Sequence, residues 1–241
     1  MPLTRPPATL LGGASLFLDF DGTLVELAER PDAIEVASRL RVLLGELQNK
    51  LEGRLTVVSG RASADVAGWL APLPVAIIGS HGLEGRGQPA VAPAALRTAS
   101  EALRLFAGRH PGVLVEDKPM GVALHYRQAP DAEAACHAAA EQAAKAGGLQ
   151  LQPGKMVVEL RPAGSDKGTA LRAVMAEPAY RHTRPVFIGD DLTDEHAFAA
   201  ARALGGAGIL AGPERDTAAT YRLADVRAVH EWLEQACEAL A

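Results

Sequence analysis

The chain has 241 residues, enough for one large domain or two small ones, and its 48% hydrophobic and 22% charged residues describe a globular protein rather than a disordered or fibrous one. A net charge of -5 gives no electrostatic reason for nucleic-acid binding, and no apolar run approaches the roughly 20 residues that cross a bilayer, so neither nucleic acid nor membrane is an expected partner. The two cysteines, Cys136 and Cys237, are far apart and lack a metal-type spacing; with no long apolar leader or cleavage site at the start, the expectation is a cytoplasmic chain without disulfides.

The first elements alternate in type. A short apolar strand over 14–20 ends in acids, and aromatics are only 4% of the chain, so the core around it must be mainly aliphatic. Pro31 and Asp32 open a helix whose apolar face carries Val36, Leu40, Leu43, Leu47 and Leu51, and Gly53 ends it. A second strand over 55–58 is closed by Ser59-Gly60-Arg61. A further helix carries Val66, Trp69 and Leu70, and a third strand over 75–78 is closed by Gly79-Ser80-His81-Gly82. Strand, helix, strand, helix, strand is the pattern of a parallel sheet with crossover helices.

The pattern changes after Gly82. A polar stretch over 84–93 leads to a helix over 94–107, then to strands over 113–116 and 122–126. Between these strands Lys118-Pro119-Met120-Gly121 suits a hairpin turn, with Gly121 free to take a positive φ. A helix over 131–146 and strands over 149–151 and 156–160 complete what reads as an antiparallel sheet with helices on one face. The first pattern then returns with a helix over 167–175, a strand over 185–188, a helix over 194–202, a short strand over 208–210, and a last helix with Val226, Val229, Trp232, Leu233 and Cys237 on its apolar face. The expected fold is α/β: a Rossmann-like parallel-sheet core, residues 1–82 and 165–241, with an inserted α+β cap domain, residues 83–164. The two joins are expected to act as hinges.

Four segments carry chemistry. Asp19-Phe20-Asp21-Gly22-Thr23 follows the first strand, where open α/β sheets bind ligands, although Asp-x-Asp alone is equally a turn with solvated acids. Ser59 offers a hydroxyl to a phosphate oxygen. Lys167 opens a helix and offers a point cation to a phosphate. Gly189-Asp190-Asp191-Leu192-Thr193-Asp194 sets three carboxylates in five residues at another strand end. Helix capping is their plainer role, but so many acids repel unless a cation sits among them, and hard oxygen ligands suit Mg2+.

Together, in this order after successive strands, these segments resemble the four motifs of the haloacid dehalogenase-like hydrolase superfamily. The resemblance implies Asp19 as nucleophile, Asp21 as general acid and then base, and Ser59 and Lys167 as holders of the transferring phosphoryl group. It implies Mg2+ bound by Asp19, the Asp21 carbonyl and Asp190, with Asp191 and Asp194 supporting or bridging through water. A closer resemblance, over nearly the whole chain, is to trehalose-6-phosphate phosphatases. It is carried by Val58-Ser59-Gly60-Arg61, by Gly79-Ser80-His81-Gly82-Leu83-Glu84 and by Gly189 to Glu195 in the core. In the insert it is carried by Glu116-Asp117-Lys118, His125-Tyr126-Arg127, and Gly154-Lys155 to Glu159-Leu160-Arg161-Pro162.

This resemblance implies Mg-dependent hydrolysis of trehalose 6-phosphate to trehalose and phosphate, with a small-molecule sugar phosphate as the partner. It assigns substrate contacts to Asp19, Phe20, Asp21, Gly60, Arg61, His81, Glu116, Lys118, His125, Arg127 and Glu159, with Glu116, Lys118 and Glu159 reading the sugar. Without it, the hairpin acids and Lys118 read as a solvated face, His81 as a loop hydrogen-bonding group and Arg127 as a surface ion-pair partner. The competing enzyme readings are a phosphatase of sucrose phosphate or a mannosyl phosphate, and a phosphomutase. The competing non-enzyme reading is a catalytically silent sugar-phosphate-binding regulator, against which the intact Asp19–Asp21 pair argues. The sequence sets no oligomeric state; a monomer is the favoured expectation.

Overall fold

The computed structural model describes residues 3–27, 34–84, 94–118, 120–154, 156–164 and 166–240, all but the side chain of His81. Its contacts divide the chain into two compact units, residues 1–88 with 166–241, and residues 89–165.

The first unit is built on a six-stranded sheet. Its strands are β1 (Ala14–Leu18), β2 (Leu55–Val58), β3 (Ala76–Ile78) and, after the second unit, the strands Arg184–Gly189, Ala207–Ala211 and Tyr221–Leu223. Neighbouring strands are all parallel. β1 is buried along its whole length because both faces of the sheet are covered. Successive side chains alternate between those faces: Leu16 and Leu18 enter one apolar cluster and Phe17 the other. The first cluster receives helix α1 (Ser38–Lys50) through Leu40, Leu43, Leu44 and Leu47, helix α2 (Ser63–Leu70) through Val66 and Leu70, and the C-terminal helix Val226–Ala239 through Val229, Trp232 and Leu233. The second receives the helices Lys167–Met175 and Glu195–Ala203 through Leu171, Val174, Ala197 and Phe198.

The chain runs outward from β1 to β2 and β3 on one side, then returns to place Arg184–Gly189 on the other. β1 therefore sits at the point where strand order reverses, and a crevice for ligands opens outside the carboxyl ends of such strands.

The second unit holds helix α3 (Ala94–Ala107), strands β4 (Leu114–Lys118) and β5 (Gly121–His125), helix α4 (Glu133–Gly147), and strands β6 (Leu149–Gly154) and β7 (Val157–Pro162). The sheet order is β4-β5-β7-β6, all antiparallel. Val122, Leu124, Val158 and Leu160 pack with Leu96, Ala99 and Leu103 of α3 and with Cys136, Ala140 and Ala144 of α4. After α4 come α5 (Lys167–Met175), β8 (Arg184–Gly189), α6 (Glu195–Ala203), β9 (Ala207–Ala211), β10 (Tyr221–Leu223) and α7 (Val226–Ala239). Among the described residues no helix is long and apolar enough to cross a membrane.

Three local expectations change. Pro31 and Asp32 lie outside the described residues, and the helix predicted to open there begins at Ser38. Ile34 and Val36 are buried while Glu35 and Ala37 are exposed, so the segment before Ser38 alternates as extended chain does, and Val36 mimicked the helical spacing. Gly121 does not take a positive φ: it pairs with Lys118 as the first residue of β5. Its missing side chain serves a close approach instead, since a Cβ there would lie 2.8 Å from Oε1 of Glu159. Strand β10, three residues long, is a further strand that no run of apolar residues announces.

Candidate active site

Asp19 directly follows β1, and its backbone N–H still pairs with the Ile188 carbonyl of β8 at 2.9 Å. That pairing holds its carboxylate at the carboxyl end of the strand, at the reversal point. The chain then turns: Gly22 N–H donates to the Val25 carbonyl at 2.8 Å with Gly22 at φ 75°. A Cβ on Gly22 would stand 2.1 Å from Oδ2 of Asp190, so the positive φ and the bare backbone together let the Asp190 carboxylate approach.

Lys167 is the first residue of α5. Asp166 fixes that helix start: its Oδ1 accepts from Thr169 N–H at 2.7 Å while the Thr169 hydroxyl accepts from Asp166 N–H at 2.9 Å. The Lys167 ammonium donates to Oδ1 of Asp19 and to Oδ1 of Asp194, each at 2.6 Å. All three side chains are buried. Asp194 also accepts from Asp191 N–H through Oδ2 at 2.9 Å, and Asp191 caps the same short turn through its own Oδ1 and Leu192 N–H at 2.7 Å. Asp190 is half-buried beside them, with the Thr23 hydroxyl 3.5 Å from its Oδ1.

One oxygen from each of Asp19, Asp190 and Asp194 lies within 4.8 Å of the others. Asp191 lies outside that group, at work on the cap. Three carboxylates thus face one ammonium. Burial pushes the Asp19 carboxyl well above its usual range; Lys167 opposes this and Asp194 adds to it. Burial, then the Asp194 charge, pushes Asp190 up to about 6. Burial works against the charge on Lys167, but Asp19 and Asp194 outweigh it and hold its pKa above the ordinary lysine value. The cluster carries more negative charge than Lys167 can balance, and its donors are hard oxygens, so it fits a small divalent cation.

Ser59 follows β2. It is fully buried, its N–H pairs with the Ile78 carbonyl at 2.9 Å, and its Oγ accepts from Arg61 N–H at 3.1 Å. Gly60 lies at the exposed bend between them. The Arg61 guanidinium grips both oxygens of Asp21, Nε to Oδ2 at 2.6 Å and an Nη to Oδ1 at 2.7 Å. It also lies over the Trp69 ring, 5.0 Å from the centroid, and that ring stacks on Phe20 at 5.7 Å and 8°. The structure therefore brings together Asp19, Phe20, Asp21, Lys167, Asp190 and Asp194 with the loop of Ser59, Gly60 and Arg61. The His81 side chain lies outside the described residues.

Three residues to which the sequence assigned no role in the site support this arrangement. Glu84 is buried and accepts from Ser63 N–H at 2.7 Å and from the Ser80 hydroxyl at 2.6 Å, tying the loop after β3 to the start of α2. Arg215 donates to the carbonyls of Asp190 at 3.3 Å and Asp191 at 2.9 Å and pairs with Glu195, bracing the acidic loop. Trp69, read as helix packing, is the third. The last two contacts join residues distant in sequence, and no local pattern marks them.

In the second unit, Glu116, Ala123 and Glu159 stand directly opposite one another on β4, β5 and β7, so Glu116, Lys118, His125 and Glu159 share the sheet face turned away from α3 and α4. Lys118 Nζ donates to Oε2 of Glu159 at 2.5 Å, and His125 Nε2 lies 2.8 Å from Oε2 of Glu116. The Lys118–Glu159 pair reaches across β5, whose residues on this face between them are Gly121 and Ala123. Asp117 points to the other face, where Ser100 and Arg104 bind it. Arg127 is exposed beyond the end of β5.

The trehalose-phosphatase family matches residues 17–227 of this chain. The chain is 37% identical to the trehalose-6-phosphate phosphatase of Escherichia coli (strain K12), with 99% of this chain and 92% of that protein covered. It is 40% identical to a probable trehalose-phosphate phosphatase of Sinorhizobium fredii (strain NBRC 101917 / NGR234), covering 86% of this chain and 80% of that one. Among solved structures, a trehalose-6-phosphate phosphatase related protein superposes with a TM-score of 0.71 at 28% identity, covering 91% of this chain and 95% of that one.

Proposed function

The chain belongs to the trehalose-phosphatase family, and from that premise we propose that it hydrolyses trehalose 6-phosphate to trehalose and inorganic phosphate through an aspartyl-phosphate at Asp19, with Mg2+ as its metal. The observation that carries this reading is the buried Lys167 ammonium, 2.6 Å from both Asp19 and Asp194, beside an Asp190 that no further cation balances among the described residues.

Asp19, Asp190 and the Asp21 carbonyl would hold Mg2+, with Asp194 supporting through Lys167 and Asp191 through its cap. When bound, the metal offsets the repulsion between these carboxylates and a phosphate dianion. The other roles belong to side chains. A carboxylate oxygen of Asp19 attacks phosphorus as the bond from phosphorus to the sugar oxygen breaks. Asp21, two residues on, gives the leaving oxygen its proton, then takes one from the water that hydrolyses the phospho-Asp19 ester. Lys167 and the Ser59 hydroxyl donate to the equatorial phosphoryl oxygens. Phe20, Gly60, Arg61 and His81 complete the phosphate end of the substrate site. On the other unit, Glu116, Lys118, His125, Arg127 and Glu159 read the sugar, whose hydroxyls need both acceptors and donors. Cytoplasmic residence belongs to the same reading, and the two buried free thiols, Cys136 and Cys237, support it.

The test is phosphate release from trehalose 6-phosphate, glucose 6-phosphate and sucrose 6-phosphate, with Mg2+ and with chelator. Preference for trehalose 6-phosphate and silence in chelator are expected. A preference for sucrose 6-phosphate would move the assignment to that phosphatase, and full activity in chelator would remove the metal. Asp19→Asn should turn over none of the three.

A further inference from the structure

We propose that Trp69 is a positioning residue for this reaction: its indole face is the platform on which the Arg61 guanidinium passes from Asp21 to the substrate phosphate. This rests on the reading of Asp21 as the acid that serves the leaving oxygen. Arg61 holds both Asp21 oxygens, at 2.6 and 2.7 Å, while its guanidinium carbon Cζ lies over the Trp69 ring, 5.0 Å from its centre. Stacking leaves the in-plane N–H groups of a guanidinium free for oxygen partners, so the ring holds the cation without using its donors. The ring has its own reference point, because it stacks at 8° on Phe20, the fully buried residue between Asp19 and Asp21. The Trp69 carbonyl accepts from Arg41 Nε at 3.0 Å, which ties the end of α2 to α1. Platform and nucleophile are thereby fixed to one another through a single residue of the loop after β1.

While Arg61 forks both oxygens, Asp21 acts only as an acceptor. A phosphate dianion brings more charge and three oxygens, and it competes for the same N–H groups. Movement across the ring lets the guanidinium change partner without leaving the cleft, and it frees Asp21 as the phosphate arrives. Arg61 and Asp21 are each about a quarter exposed, 21% and 25%, so their pairing is partly screened and can be exchanged.

The experiment measures kcat/KM, which reports the steps through phosphoryl transfer to Asp19, with phenyl phosphate and 4-nitrophenyl phosphate in saturating Mg2+. Both substrates are small, but phenolate needs a proton on departure far more than 4-nitrophenolate does. Asp21→Asn should lose more on phenyl phosphate. Trp69→Leu should show the same skew, with about a fivefold greater loss on phenyl phosphate, the size of a partly desolvated cation–π contact. Trp69→Phe keeps a stacking ring and should stay near wild type. Arg61→Lys keeps the charge, loses the planar fork, and should reproduce the skew even if Trp69→Leu fails to fold. Equal losses in Asp21→Asn would overturn the acid reading itself. A skew in Asp21→Asn but none in Trp69→Leu or Arg61→Lys, or a Trp69→Phe as impaired as Trp69→Leu, would overturn the platform.

Discussion

Lys167 and Asp19 are joined by a 2.6 Å hydrogen bond between two buried side chains, and the same ammonium spends a second donor on Asp194. Lys167 is therefore structural in this site, beside the phosphoryl-holding role proposed for it, since it is the cation that lets two buried carboxylates coexist. Lys167→Met keeps the bulk and removes the charge. Breaking a buried pair by deleting one partner costs about 3 kcal/mol or more, and the metal-free variant should unfold at correspondingly lower urea. Added Mg2+ should restore part of that loss while turnover stays at least roughly a hundredfold down, as when a preorganised donor is removed. An unchanged unfolding midpoint would show that the carboxylates are balanced by something other than Lys167.

Asp190 makes the opposite prediction. Burial and then Asp194 push its carboxyl up to about 6, above the ordinary value near 3.8, so between those values the folded metal-free protein binds more protons than the unfolded chain. Stability from this group is then fully present at the acid side and is lost as pH rises through about 6. Asp190→Asn removes the penalty: the metal-free variant should melt higher than wild type at pH 7.5 and match it more closely at pH 5. It should also lose the rise in melting temperature that Mg2+ gives wild type. Thermal melts at the two pH values, with and without Mg2+, check both statements; an unchanged Mg2+ response in the variant would take Asp190 out of the metal set.

Gly22 is predicted to tolerate no side chain in the loop after β1. Alanine there would be strained at φ 75° and would set its Cβ 2.1 Å from Oδ2 of Asp190. The strain costs on the order of 1–3 kcal/mol, and relief comes by moving Asp190 away. Gly22→Ala should therefore weaken Mg2+ binding, read by calorimetry, by more than its loss of stability alone explains. Wild-type Mg2+ affinity in a destabilised Gly22→Ala would mean that Asp190 is not a ligand.

The residues that the sequence made legible are those whose place in the candidate site shows in a local pattern. β1 is buried on both faces and reads as an apolar run broken by Ser15 alone, and the acids after it stand out against that run. The same holds for Asp190, Asp191 and Asp194 after β8, and for Lys167, which follows a helix cap. What stayed hidden depends on contacts between distant segments. Trp69 has the spacing of a packing residue on α2, and only the tertiary fold sets Phe20 and Arg61 against its ring. Arg215 reaches the acidic loop from a turn some 25 residues later. The apparent helix start near Pro31 failed because Val36 fits both a four-residue helical step to Leu40 and a two-residue extended step from Ile34.

The sheet face of the second unit makes the last prediction, that sugar reading separates from phosphate chemistry. Lys118 and Glu159 pair at 2.5 Å, but both side chains keep substantial exposure, 37% and 26%, so the pair adds little to folding. In the proposed reading they offer a donor and an acceptor on the same sheet face as Glu116, the two kinds of group that sugar hydroxyls require. Lys118→Ala removes one charged hydrogen bond of about 1.5–3 kcal/mol, so kcat/KM for trehalose 6-phosphate should fall by roughly tenfold or more. A small aryl phosphate has no sugar hydroxyls to be read, and its hydrolysis should change little. Glu159→Ala and Glu116→Ala should show the same split. The melting temperature should hold in all three, because the apolar face of this sheet lies on the other side, with Val122, Leu124, Val158 and Leu160. Equal losses on both substrates would reassign these residues from sugar recognition to the support of catalysis.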